Sequence, residues 1–142
     1  MGLRRKSREL ALQFLFGHDF QQNSFEPATV SKELERFCDC FDAGEKALPY
    51  TELLLAGISQ RLEEIDAILS EHSHNWRLER MSLVDRNILR IAIFEMCFSD
   101  QVPERVAINE ALEIGKRFSL SDSLAFINGV LDSVQGRAEH KS

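Results

Sequence analysis

Cysteine, proline and glycine are all scarce, with 3, 3 and 7 residues in a chain of 142. Cys38, Cys40 and Cys97 are odd in number and form no CxxC pair, which argues against a disulfide framework or a zinc site and for reduced thiols in the cytoplasm. So little proline and glycine, beside 44% apolar and 28% charged residues, excludes disordered and fibrous classes and indicates a soluble globular protein. Long apolar runs are missing as well. The longest, such as Leu53 to Ala56 and Ile91 to Phe94, stop at about four residues where a membrane span needs about 20. The charged N-terminus carries no apolar core of signal-peptide type. Alternating β patterns are equally short. No G-x-S-x-G, glycine-rich phosphate loop or HExxH occurs, so no catalytic residue, metal or cofactor is expected and the chain reads as a binding protein, not an enzyme.

Helical periodicity is what the chain has in quantity. Leu10, Ala11, Phe14 and Leu15 predict a first helix over 7–16. Pro27 can open a second, carrying Val30, Leu34, Phe37 and Phe41 and ending at Gly44. Pro49 opens a third through about Leu69, with Leu54, Ile58, Leu62, Ile65 and Leu69 on one stripe. Ser82 and Asp85 resemble a capping box before a segment that is apolar around most of its circumference, from Val84 to Phe94, and this is expected to be the central helix. Two more helices follow across a corner at 119–123, where Ser119 and Asp122 repeat the capping pattern. Gly115 in a helix interior costs roughly 1 kcal/mol, which close helix packing would offset. Asn109 and Asn128, flanked by apolar residues, read as packing or backbone-bonded asparagines. The fold class is all-α, about seven helices, in one domain over residues 1–142 with bundles at about 3–72 and 76–136.

Charge locates the candidate site. The net charge is −6, yet Arg4, Arg5, Lys6 and Arg8 cluster at the start; setting these four aside leaves 13 basic against 23 acidic residues, a balance of −10. A polyanion would be repelled everywhere except at that cluster. Cations at a helix N-terminus oppose the macrodipole by up to roughly 1 kcal/mol each, so the cluster is either a disordered arm or a surface that a partner needs. The candidate surface joins these cations to Asp122, Ser123 and Phe126, with phosphates on the arm and a splayed base stacked on the ring. On periodicity alone Phe126 reads as a core residue.

The stretches RRKSRELALQFLF, RMSLVDRNILRIAIFEM and VPERVAINEALEIGKRFSLSDSLAFINGVLDSV resemble, in order and spacing, the NusB family of transcription antitermination factors. The resemblance implies two three-helix bundles and a non-enzymatic protein that pairs with the ribosomal protein NusE. Together they would bind single-stranded boxA RNA of nascent ribosomal transcripts and help RNA polymerase read through terminators. It places RNA contacts at Arg4, Arg5, Lys6, Arg8, Phe16, Asp122, Ser123 and Phe126, and NusE contacts at Glu79 and Asp85. Three positions depart from the family pattern. Ser119 stands where glycine is frequent, Leu124 and Ala125 replace a basic residue before the aromatic, and Phe16 replaces an aromatic hydroxyl. A similar domain also begins RNA cytosine methyltransferases, but too little chain follows Val134 for a cofactor-binding α/β domain. A homodimer that masks the RNA surface is the other alternative.

Overall fold

A computed structural model describes residues 2–21, 32–36, 45–73 and 81–139, all that is described below. Among them every regular element is helical. The elements are α1 (Leu3–Gln21), a short 3-10 turn (Glu45–Ala47), α2 (Leu48–Gln60), α3 (Leu62–His72), α4 (Leu83–Cys97), α5 (Glu104–Phe118) and α6 (Ser121–Glu139), with residues 32–36 also helical. Of the second expected helix only 32–36 lie within the described residues, and there Leu34 is buried on the apolar stripe. The chain divides into two compact units, Met1–Leu62 and Glu63–Ser142.

In the first unit α1 packs on α2 and on the 3-10 turn. The apolar spacing of α1 buries Leu10, Ala11, Leu12, Phe14 and Leu15. Its start is pinned by buried hydroxyls. Ser7 Oγ donates to the Ala47 carbonyl at 2.8 Å, and Thr51 Oγ1 contacts the carbonyls of Ala47 at 2.9 Å and Ser7 at 3.2 Å. Pro49 lies in the first turn of α2, where its missing N–H costs nothing. The third expected helix is in fact two. Arg61, at φ −121° and ψ 20°, interrupts it, and its N–H is shared between the carbonyls of Gly57 and Ile58. Leu54, Leu55 and Ile58 are buried before the break and Ile65, Ile68 and Leu69 after it. The buried positions on the two sides of the break, the latter in the second unit, keep a helical spacing along the sequence, so the break leaves no mark in the hydrophobic period.

In the second unit α4 packs on both α5 and α6, and these pack on each other. Every residue of α4 from Asn87 to Met96 is buried, as expected of a central helix. Gly115 meets the expectation of close packing: a Cβ there would lie 2.8 Å from Leu124 Cδ2 and 3.6 Å from Ile127 Cδ1, so α6 approaches α5 where a side chain is missing. Pro103 is the N-cap of α5, one residue before the helix proper. Asn109 and Asn128 are both exposed, Asn128 facing Asp132, because their apolar sequence neighbours occupy the opposite face of each helix. His72, in α3, places its Nδ1 2.6 Å from Ser133 Oγ of α6, and no group of metal-ligating residues gathers among the described residues. The second unit also buries a cation: Arg90 is 8% exposed, with Nε and Nη2 each donating to Asp66 of α3 at 2.9 Å and Nη1 donating to Asn87 at 3.1 Å. No described helix is long and apolar enough to cross a membrane.

Candidate functional site

The cationic cluster is helical from Leu3, not a disordered arm preceding a helix at Ser7. It extends α1 because residue 2 already accepts a backbone bond from Lys6, at 3.3 Å, and because Ser7 is anchored to Ala47 from the first turns onward. No acid stands in the first turn of α1, so no side chain there offsets the unfavourable placing of cations at the positive end of the macrodipole.

Helical geometry sorts them onto two sides. At 100° per residue, Arg5, Lys6, Gln13 and Phe16 share roughly 100° of arc, and Arg5 and Phe16, three turns apart, stand roughly 16 Å apart along the axis. Phe16 is 41% exposed, so its ring is open to solvent on this side of α1. Arg4 and Arg8 lie on the flank that faces α2. Their guanidinium carbons stand 4.7 Å and 5.8 Å from the centre of the Tyr50 ring. Arg8 is only 3% exposed, so of the four expected phosphate contacts it is the one the fold withdraws from solvent. Gln13 belongs to the exposed strip and was not indicated by the sequence, since a lone glutamine between apolar positions carries no chemical signature.

The second unit holds the other candidate residues. Asp122 and Phe126 are one turn apart and therefore share a face of α6; Asp122 is exposed, Ser123 and Phe126 are half-buried. Phe126 is not a core residue: the core of this helix is Ile127, Val130, Leu131 and Val134. Asp122 sits in the first turn, where a carboxylate stabilises the helix. The corner adds further side chains, among them Phe118, whose helical spacing with Ala107 and Ala111 predicts a buried position that the structure does not give it. Leu120 is 80% exposed and Phe118 36%, with Arg117 stacked on Phe118 at 5.3 Å and Lys116 beside Glu113 at 3.0 Å. The string K-R-F before a helix break was the available signal, a basic pair next to an aromatic.

The capping patterns resolve differently from expectation. Ser82 caps α4, its hydroxyl accepting from the Asp85 N–H at 3.0 Å. The Asp85 carboxylate does not complete the box. It accepts from the Ser119 hydroxyl at 2.6 Å, so Ser119 ties the α5 terminus to α4 and does not cap α6. Asp85, an expected NusE contact, is thus 8% exposed and engaged within its own unit, while Glu79 lies outside the described residues. Ser119, the departure from glycine that the resemblance marks, has a physical use here. Replacing Ser119 by alanine leaves the Asp85 carboxylate short of its donor and is expected to lower unfolding stability by about 1–3 kcal/mol in a denaturant melt. An unchanged midpoint would show that solvent replaces the hydroxyl without cost.

Comparison with known proteins supplies a context for this geometry. Residues 5–136 match the NusB family. A transcription antitermination protein NusB of Desulfosudis oleivorans is 51% identical over 134 residues, covering 94% of this chain and 86% of that protein. Among solved structures, a T. maritima NusB superposes with a TM-score of 0.81 at 34% identity, covering 94% of this chain and 90% of that one. A complex of antitermination factors NusB and NusE with double-stranded RNA matches with a TM-score of 0.82 at 21% identity, covering 96% of this chain and 98% of that one, a likeness of fold.

Proposed function

The chain belongs to the NusB family, and from this we infer that it is an RNA-binding transcription antitermination factor and not an enzyme. Its partners are single-stranded boxA-like RNA and the ribosomal protein NusE, and it acts in the cytoplasm on transcribing RNA polymerase through that complex. The observation that carries the RNA reading is the ordered basic start of α1, which sets the half-buried Arg5 and the exposed Lys6 and Phe16 on one face of a chain whose remaining balance is −10. Cations on that face take phosphates, and the exposed ring takes a base. On the second unit Phe126, beside Asp122, offers another ring for stacking. NusE recognition comes from family membership.

Two measurements test this reading. The full chain titrated with boxA RNA should bind more tightly once NusE is present, and a scrambled RNA of the same length should bind less well. Equal affinity for the two RNAs would reduce the function to non-specific phosphate binding. Phe126→Ala is expected to weaken RNA binding by about 1–3 kcal/mol with a near-native melting temperature. Unchanged affinity would remove the ring from the interface, and comparing single-stranded with duplex RNA shows whether stacking on a splayed base is the mode used.

A further inference from the structure

We propose that Tyr50 is a positioning residue for RNA binding, its ring gathering the Arg4 and Arg8 guanidinium groups so that the cationic start of α1 is ordered before RNA arrives. This rests on the reading of α1 as the phosphate-contacting element. Arg4 and Arg8 are one turn apart, so their like charges repel along the helix, and both stand at the end whose dipole disfavours cations. Two unfavourable terms act on the same pair, yet the helix forms from Leu3. Tyr50 supplies an opposing one. The face of an aromatic ring is electron-rich and attracts a guanidinium within about 6 Å of its centre, and both arginines satisfy that distance, at 4.7 Å and 5.8 Å.

The ring is held where it can do this. Thr51, its neighbour, bonds to the carbonyls of Ser7 and Ala47, and Ser7 bonds to Ala47, so the beginnings of α1 and α2 are fastened together through buried hydroxyls. The two cations then differ in access. Arg8 is 3% exposed and stays inside, whereas Arg4 is exposed to solvent. Tyr50 is the chain's single tyrosine, but the attraction belongs to the ring face and phenylalanine would keep it. An arginine already resting on a ring loses less rotamer freedom when a phosphate arrives, which is where the gain in affinity arises.

The experiment uses the full chain and a labelled single-stranded boxA RNA. Tyr50→Leu is expected to weaken binding by about two- to ten-fold, the loss of one or two pre-ordered side chains. Tyr50→Phe should bind as the parent does. In a chain that already carries Arg4→Gln and Arg8→Gln, Tyr50→Leu should have no further effect, because a ring that acts through the arginines has nothing left to position. Should Tyr50→Leu fold poorly, Arg4→Lys makes the same test at an exposed site, keeping the charge and losing the planar stack, and it too should weaken binding. The proposal is overturned if Tyr50→Leu loses as much in the double-arginine background as alone, or if Tyr50→Leu and Arg4→Lys both bind like the parent. In the last case, loss of affinity on Arg5→Gln and Lys6→Gln would preserve the reading of α1; no loss there would end that reading too.

Discussion

Replacing Arg4, Arg5 and Lys6 together by glutamine is expected to weaken single-stranded RNA binding by about 500-fold at roughly 50 mM salt and by about 30-fold at roughly 200 mM. Each phosphate neutralised on a single strand contributes about −0.7 to the slope of log K against log salt, so three contacts give about −2.1 and the parent chain should lose about 20-fold over that range. Were Arg8 a fourth contact, the slope would be about −2.8. Its 3% exposure, beneath Tyr50, argues for the smaller figure. A slope that survives the triple replacement would move the phosphate contacts elsewhere, with the adjacent basic pair Lys116 and Arg117 at the α5 terminus as the next to replace. Helix content should be retained or rise, since removing cations from this terminus relieves the macrodipole.

The largest expected effect on stability is in the second unit. Asp66→Ala removes the carboxylate that meets Arg90 through two bonds of 2.9 Å and leaves a guanidinium that is 8% exposed without that counter-charge, Asn87 still accepting from Nη1 at 3.1 Å. Breaking a buried pair from one side costs about 3–5 kcal/mol because the remaining ion keeps its desolvation penalty. Asp66 itself is half-buried, which places the expectation nearer the lower value. Arg90→Met, which removes the charge and keeps the length, should cost less than Asp66→Ala. If a chemical melt shows the two variants equally stable, water must reach the arginine and the burial penalty is not what the pair offsets. Since Asn87 in turn donates to the Leu83 carbonyl at 2.9 Å, the network runs to the first turn of α4, just after the Ser82 cap.

Helix type and buried face were determined by the chain locally. A period near 3.6 needs no knowledge of what lies opposite, and so Leu10, Phe14, Leu54, Ile58, Ile65, Leu69 and, in α4, Ile88, Leu89, Ile91, Ala92 and Phe94 were legible as apolar faces before any neighbour was known. Gly115 was legible for a related reason, since a glycine that weakens its own helix implies a close neighbour, here Leu124. The cationic cluster was visible because charge is counted, not packed. Only tertiary structure decided what those groups do. That Arg8 is withdrawn and Arg4 presented depends on Tyr50, more than 40 positions along the chain. That Asp85 serves the corner, leaving the capping box half-made, depends on a serine 34 residues away. That Phe126 stays partly open while Ile127 closes the core depends on which face of α6 meets α4 and α5. Periodicity is a property of neighbours along one helix, whereas the fate of a buried charge, a hydroxyl or a single ring is set by whichever distant group the fold brings within bonding distance.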